Sequence, residues 1–430
     1  GTYILVAIDN GNPAITLLGK VSDAKKLTAS AGADHLKLGA GWAAIGSQPM
    51  LDRLAPYALA ALTPLPVPKS PTATVYVPQV LAKFQPQLSA VRAQMMTALV
   101  KSRSSAMGSL MTTYIDGLAS VGQDTERMIV TLDAAQDSAA LDLAFLPRAK
   151  SRLATFTAAQ RPSDYALLGK LPASTPSMLV GGRVDLGPYH DGFLAMMAAV
   201  LDPSSSKDLL AAMEQLRKAM TGEIAMALQF APDTGMQMVQ LFGTADAKSA
   251  DQGISRMFDL FKAGRTVTIE NMSTTTKANP TPIPYDGVAL RSYDTTYDLS
   301  KATPEQRKAT TMLSPSGAQH AMIATFDAVT LVMVSPDVLN DAKKAVDAAR
   351  GKASGLAQTP AIRDLLAASR ARKDSLAAIL DLGRFVAAFA PGMNLGNQPM
   401  VMSFGAADHN AHIRIALPAA TLRAAANMKP

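Results

Sequence analysis

The segment 241–248, LFGTADAK, indicates how the chain is organised, because a similar segment, LLGKVSDAK, occurs at 17–25. One deletion aligns the two. In each, an apolar strand ends at a glycine and an Asp-Ala-Lys helix start follows. Asp suits a first helical turn because its carboxylate accepts free backbone N–H bonds and complements the helix dipole. The pair predicts that one strand-to-helix unit is used twice.

Two further pairs of segments follow in the same order. The first pair is 42–51, WAAIGSQPML, and 330–339, TLVMVSPDVL. Each is a short apolar strand, then a serine N-cap and a proline in the first helical turn. The second pair is two predicted β-hairpins, 129–147 and 400–418, whose second strands both end at proline. Three matched blocks in one order predict an internal duplication.

The predicted fold class is α+β, with two tandem copies of a domain that has a curved antiparallel sheet and helices packed on one face. Apolar and polar residues alternate along the predicted strands, which indicates an antiparallel sheet with one packed face. We place the first copy at 1–160 and the second at 161–430, with an insertion at about 266–317. The second copy begins with a leading segment that the first lacks, so we expect the first copy to be N-terminally incomplete.

The composition of the chain indicates its compartment. The 430 residues contain no cysteine, which excludes disulfides, thiolate metal sites and cysteine nucleophiles. Avoidance of cysteine is typical of an oxidising compartment. No apolar run reaches the roughly 18–20 residues of a transmembrane span. We therefore expect an exported protein of the periplasm or outer surface of a bacterium, with an export signal, and room for a lipid anchor, ahead of Gly1.

The charge pattern argues against a nucleic-acid partner. The net charge is +7, and aromatic residues make up only 5% of the chain. The densest basic stretch, 343–373, is interleaved with Asp347 and Asp364. Nucleic-acid binders concentrate positive charge on one face and add stacking aromatics. The stretch is therefore predicted to be a solvated helical surface.

Few residues have the types and spacing of a catalytic or metal site. His409 and His412 are the weak metal candidates, but an i, i+3 pair on a hairpin points to opposite strand faces. Ser316, His320 and Asp327 supply the residue types of a hydrolase triad without the Gly-x-Ser-x-Gly elbow that exposes a nucleophile. We expect no cofactor and no enzymatic activity, with a hydrolase of unknown type as an open alternative.

The 23 methionines indicate an adaptable apolar interior. Methionine fills irregular cores, and it also lines apolar ligand pockets. Pairs at period two on predicted strands place both side chains on one strand face. The apolar-pocket candidates are Met236, Met238, Met400, Met402 and Trp42.

The order of these blocks resembles a family of secreted or lipid-anchored bacterial envelope proteins of unknown function with a duplicated α+β domain. The matching elements are 171–172, 184–186, the 243–248 unit and the Ser335-Pro336 helix start. The resemblance covers most of the chain. It implies an envelope location and the fold, and it implies no catalytic residues.

Two non-enzymatic functions follow from these observations. The first is a structural or protein-interaction module, for example a subunit of a larger surface complex, whose partners are other envelope proteins or a second copy. The alternative is a carrier for a lipid or another apolar ligand. A continuous apolar cavity would favour the carrier, whereas flat apolar patches or large buried contacts would favour assembly.

Overall fold

The structure of the chain is a computed structural model. It describes residues 2–9, 12–62, 70–101, 117, 119–134, 138–185, 187–189, 203–231, 234–262, 264–269, 272–356, 359–389, 399–407 and 409–421. The chain divides into two compact units, Gly1–Val75 with Ile129–Ala135 and Tyr76–Met128 with Gln136–Pro430. Helices and antiparallel strands share the described residues, which confirms the α+β class.

The smaller unit contains a four-stranded antiparallel sheet. Its strands are β1 (Thr2–Asp9), β2 (Asn12–Lys20), β3 (Leu36–Gly39) and β4 (Trp42–Ile45), in the spatial order β1-β2-β4-β3. Helix α1 (Ala24–Ala31) follows β2, and helix α2 (Gln48–Tyr57) follows β4. Trp42 packs in the core of this unit with Leu18 and Leu51. Strand β5 (Thr72–Tyr76) comes next in the chain and pairs with β6 (Thr125–Ala134).

The larger unit contains a long antiparallel sheet. Its strands are β7 (Ser138–Pro147), β8 (Met178–Arg183), β9 (Met220–Ala231), β10 (Gly235–Thr244), β11 (Arg265–Ile269), β12 (Met272–Ala278), β13 (Ile283–Tyr285), β14 (Val288–Asp298), β15 (Ala318–Phe326), β16 (Val329–Val334), β17 (Asp374–Asp381), β18 (Pro399–Ala407) and β19 (Asn410–Pro418). Their spatial order is β11-β12-β14-β15-β16-β10-β9-β8-β17-β18-β19-β7, and β13 pairs with β14.

The helices of the larger unit connect these strands. They are α3 (Val77–Lys101), α4 (Arg152–Ala159), α5 (Pro203–Ala219), α6 (Ala247–Phe261), α7 (Pro304–Leu313), α8 (Val338–Ala349), α9 (Pro360–Ala371) and α10 (Leu382–Phe389). The segment predicted as an insertion, about 266–317, contains most of β11, then β12 to β14 and α7. In the described part of the chain, no helix is long and apolar enough to cross a membrane.

Helices pack on both faces of this sheet, so the prediction of helices on one face is wrong. On one face, Val346 of α8 and Leu366 of α9 join the main core with Leu331. On the other face, Ile254 of α6 packs in a second cluster with Tyr293 of β14. The apolar side of α6 needs a surface that excludes water. Strands β12, β14 and β15 provide that surface on the second face.

The start of α8 also differs from the prediction. Ser335 was expected to be the N-cap, but the helix begins two residues later and Asp337 occupies that position. The Ser335 hydroxyl accepts the Asp337 N–H at 3.2 Å and donates to Asp341 Oδ2 at 2.5 Å. Ser335 therefore fixes the turn before the helix, and its hydroxyl engages the carboxylate of the first helical turn.

Candidate functional site

The strand register brings four of the predicted pocket residues to one face of the larger unit's sheet. Directly opposed residues of an antiparallel pair point to the same face. Met236 lies opposite Phe230. The next row of cross-strand neighbours runs over five strands as Met238, Leu228, Met178, Leu380 and Met400. The face therefore joins methionines that are far apart in the sequence.

Two further rows cross seven strands, from β10 to β7. The second row is Gln240, Met226, Val180, Ala378, Met402, Ile415 and Leu141. The third row is Phe242, Ile224, Gly182, Leu376, Phe404, Ile413 and Leu143. We call these three rows the apolar sheet face. Gln240 is the one polar side chain in them.

The apolar sheet face is less buried than the face behind it. Its side chains are half-buried, apart from Ala378 and Gly182, which are buried. On the opposite face of the same strands, Leu179, Ala225 and Leu241 are at most 2% exposed. Over β8, β9 and β10 the opposite face is thus a closed core, whereas the apolar sheet face of these strands is mostly half-buried.

Aromatic contacts join two helices to the apolar sheet face. Phe230 meets Phe385 of α10, with ring centroids 5.9 Å apart. Phe404 of the third row meets Phe156 of α4, with centroids 5.8 Å apart. Helix α10 lies against β9, β17 and β18, and α4 lies against β18 and β19. These helices cover part of the rows.

The dimensions of the apolar sheet face follow from strand geometry. Neighbouring strands lie about 4.8 Å apart, and alternate residues of a strand lie about 6.8 Å apart. The first row crosses five strands and the other two cross seven, so the three rows cover roughly 330 Å² between their Cα positions.

The opposite face carries a buried ionic cluster that sequence reasoning missed. Asp374 is fully buried, and its Oδ2 accepts from Arg372 Nε at 3.1 Å and Nη2 at 2.8 Å. His412 Nε2 lies 3.0 Å from Asp374 Oδ1. Tyr165 donates its hydroxyl to the Asp374 carbonyl at 3.0 Å. Each of these contacts ties a separate segment to the start of β17.

The pKa values of this cluster reflect its burial. Burial works to raise the pKa of Asp374, but hydrogen bonds from His412 and Ser403 and the charge of Arg372 outweigh it, so this pKa lies below its ordinary value. Burial, reinforced by Asp374, raises the pKa of Tyr165 to about 12. The aspartate is held ionised and saturated with donors. Such a group stabilises the fold and is poorly suited to accept a proton from a substrate.

The two metal candidates, His412 and His409, make different contacts. His412 contacts Asp374, and a Cβ added at Gly405 would lie 2.5 Å from its ring. His409 is exposed at the preceding turn with a left-handed backbone, φ 64°, and its carbonyl accepts from Thr157 at 3.1 Å. Among the described residues, no group of three or more His, Cys, Asp or Glu side chains is placed to hold a metal ion.

The remaining sequence candidates also lie apart. Ser316 donates to the Ala318 carbonyl at 3.0 Å, and His320 lies 2.6 Å from Asp294. Asp327 accepts from Arg350, the C-cap residue of α8, at 3.2 Å. These contacts do not form the triad chain from nucleophile to base to acid. Trp42 is only 4% exposed in the core of the smaller unit. It therefore does not contribute to the apolar sheet face.

Comparison with protein-family models, with curated proteins and with solved structures found no match for this chain.

Proposed function

We propose that this protein is a non-enzymatic carrier of the bacterial cell envelope that binds a lipid or another apolar ligand on the apolar sheet face. The observation that carries the proposal is the register that gathers Met238, Met400 and Met402 into continuous rows of half-buried apolar side chains. An apolar ligand that covers these rows removes its own surface and theirs from water, which is favourable by about 25 cal/mol per Å².

Methionine supports a ligand of variable shape. Its side chain is unbranched and polarizable, so a methionine-rich surface can repack around different apolar molecules. The rows contain one polar side chain, Gln240, and no charged one. An acyl chain needs no hydrogen-bond partner. Half of a bilayer's hydrocarbon core is about 15 Å thick, so an extended acyl chain can lie across three or four strands.

The second candidate function is a protein-interaction module. The supporting observation is the width of the apolar sheet face, which crosses seven strands. A stable protein interface buries about 800 Å² on each partner. The geometric area of the apolar sheet face is about 330 Å², and its exposed area is smaller because the side chains are half-buried. A ligand-sized occupant fits this area better than a protein partner, so we place the carrier first.

We also propose that the chain contains an internal duplication. The spatial order β1-β2-β4-β3 is the order of β9-β10-β16-β15. Asp23 accepts the Lys26 N–H and Asp246 accepts the Ser249 N–H, so the same capping bond begins α1 and α6. The register between the second and fourth strands of the aligned copies differs by two residues, which keeps every side chain on the same face. An experimental structure with another order of β1 to β4 would overturn this relation.

The envelope location is proposed from the lack of cysteine and the resemblance to secreted and lipid-anchored proteins. Fractionation of the source cells, with an antibody against this chain, tests it. Recovery with periplasmic or outer-surface proteins is expected. Recovery with cytoplasmic markers would contradict it.

Binding of a fluorescent phospholipid analogue tests the function. We expect saturable binding by the wild-type protein. A doubly substituted protein, Met238→Gln with Met402→Gln, should bind about tenfold more weakly, because two polar amides then lie under the acyl chain. The two substitutions lie on distant strands of the apolar sheet face. A loss of affinity in this variant would therefore show that both parts of the face contact the ligand.

The matched control is Met213→Gln, which makes the same chemical change at a half-buried position of α5 outside the three rows. It should bind as the wild type does. Circular dichroism checks that all three proteins are folded. Equal binding by the double variant, or absence of saturable binding by the wild type, would contradict the carrier proposal.

A further inference from the structure

A second concave site lies on the other face of the larger unit's sheet. It is a cleft with a volume of about 170 Å³, between β9, β10, β16, helix α8 and the 172–176 segment. Its strand residues Ala227, Val239 and Met333 are register partners in one row. That row alternates with the rows of the apolar sheet face. The floor side chains of the cleft thus face away from the apolar sheet face, although Leu228 and Met238 of its first row also line the cleft. The floor and the rim carry the inference, which does not rest on the carrier proposal.

The floor of the cleft is apolar. Ala227, Val239 and Met333 line it and are 4%, 7% and 6% exposed. An apolar group placed on them replaces the little water that reaches them, which favours binding. A cavity of about 150 Å³ takes a benzene ring. The cleft is therefore the right size for a short branched chain or a single ring.

The rim of the cleft is polar and carries one charge of each sign. Lys344 Nζ lies 3.0 Å from Asp341 Oδ1, and their side chains are 70% and 25% exposed. The hydrogen bond from Lys344 to Asp341 holds the pKa of the lysine above its ordinary value, so the ammonium stays charged at neutral pH. Both residues line the cleft and both face solvent in part. A ligand can therefore reach either charge.

Two side-chain amides complete the rim. Gln229 and Gln237 are direct cross-strand partners at the ends of β9 and β10. Gln237 donates to Thr234 at 3.3 Å, which leaves its carbonyl oxygen available. Each amide offers both a donor and an acceptor. They can hydrogen-bond a polar head group that sits above the apolar floor.

We propose that this cleft binds a free apolar α-amino acid, with the side chain on the floor and the zwitterionic head on the rim. The ammonium of the ligand pairs with Asp341 and its carboxylate with Lys344. A simple anion would meet the Asp341 carboxylate, and a simple amine would meet the Lys344 ammonium. The two rim charges already pair with each other at 3.0 Å, and only a head group with both charges adds an oppositely charged contact to each of them.

Calorimetric titration of the full chain with four small molecules tests this inference. The probes are L-leucine, 4-methylpentanoate, isoamylamine and glycine. They supply the whole ligand, the chain with the carboxylate alone, the chain with the amine alone, and the head group alone. Leucine should bind saturably. Each of the other three should bind about tenfold more weakly or worse, because each lacks a charge-assisted contact or the apolar side chain.

Two variants locate the site. Lys344→Gln and Asp341→Asn should each weaken leucine binding about tenfold, since each removes one charged partner. Lys308→Gln, an equivalent change at an exposed position of α7, should leave it unchanged. The four-probe series needs no variant, so it decides the question even if a variant fails to fold. Absence of leucine binding, or binding of 4-methylpentanoate or isoamylamine as tight as that of leucine, would overturn the proposal.

Discussion

At the scale of single residues, Asp374 is the group whose environment the structure defines most fully. It is fully buried, yet the arginine two residues before it and His412 both donate to its carboxylate. Removing one partner of a buried pair leaves the other charge without compensation. The buried aspartate therefore holds together the start of β17, the strand β19 and the turn that follows α9.

Replacing this aspartate should destabilise the fold in a pH-dependent way. Asp374→Ala should lower the free energy of unfolding by about 3–5 kcal/mol at neutral pH. The pKa of Asp374 is lowered in the folded state, so its contribution is present above the unfolded value of about 4 and is lost as the pH falls through the folded value. Urea unfolding at several pH values measures both effects.

Asp259→Asn is the control, because Asp259 is exposed on α6 and its lysine partner lies 3.4 Å away. It should change the free energy of unfolding little at any pH. If Asp374→Ala were as stable as this control, the buried cluster would not be formed.

Gly182 is a second residue whose role is defined, because its backbone conformation and close packing both require glycine. Its φ is +138°, and a Cβ there would lie 2.1 Å from the Ser375 carbonyl oxygen. We expect Gly182→Ala to cost roughly 2–4 kcal/mol of folding free energy, from backbone strain and overpacking together. Gly317 has φ +72° with open space around it, so Gly317→Ala should cost only about 1–2 kcal/mol. Thermal or urea unfolding compares them, and equal costs would contradict the close approach of β8 and β17.

At the scale of elements, local signals in the sequence were the most informative. The helix predicted after the Ser335-Pro336 start is observed as Val338–Ala349, because its apolar spacing and first-turn residues act within one segment. The methionine pairs were correctly identified as strand-face residues, but the sequence could not show that β18 shares a sheet face with β10. The shared face of β10 and β18 depends on the pairing of the intervening strands β9, β8 and β17. These strands come from distant segments of the sequence.

The buried cluster was missed for a related reason. Asp374 follows Arg372 and Lys373, so in the sequence it belongs to a charged surface stretch. Only the pairing of β17 with β18, and of β18 with β19, brings His412 to it. The prediction for Ser335 failed locally instead, because the serine shares its turn with Asp337, which begins the helix in its place.

Helix α7, in the segment predicted as an insertion, begins with a complete capping box. Thr303 accepts the Gln306 N–H at 3.2 Å, and the Gln306 side chain accepts the Thr303 N–H at 2.8 Å. Thr303→Ala should destabilise the helix by about 1 kcal/mol, whereas Thr303→Ser should retain most of the stability. Hydrogen exchange of the amides of α7 measures this directly. Equal protection in both variants would show that the cap does not hold the helix.

At the scale of the whole molecule, the two faces of the larger unit's sheet differ in how they are packed. One face forms the closed core beneath α8 and α9. The other carries the three apolar rows, most of whose side chains are half-buried. A protein that functions only as a rigid support gains nothing from leaving such rows accessible. A carrier requires them.

Native mass spectrometry of the protein, purified gently from its source, distinguishes a lipid carrier from an assembly subunit. We expect part of the protein to carry an additional lipid-sized mass that is released on denaturation, and we expect Met238→Gln with Met402→Gln to reduce the loaded fraction. The Met213→Gln control should load as the wild type does. A bare chain in a defined oligomer, or a chain bound to another protein with no lipid, would contradict the carrier and favour an assembly function.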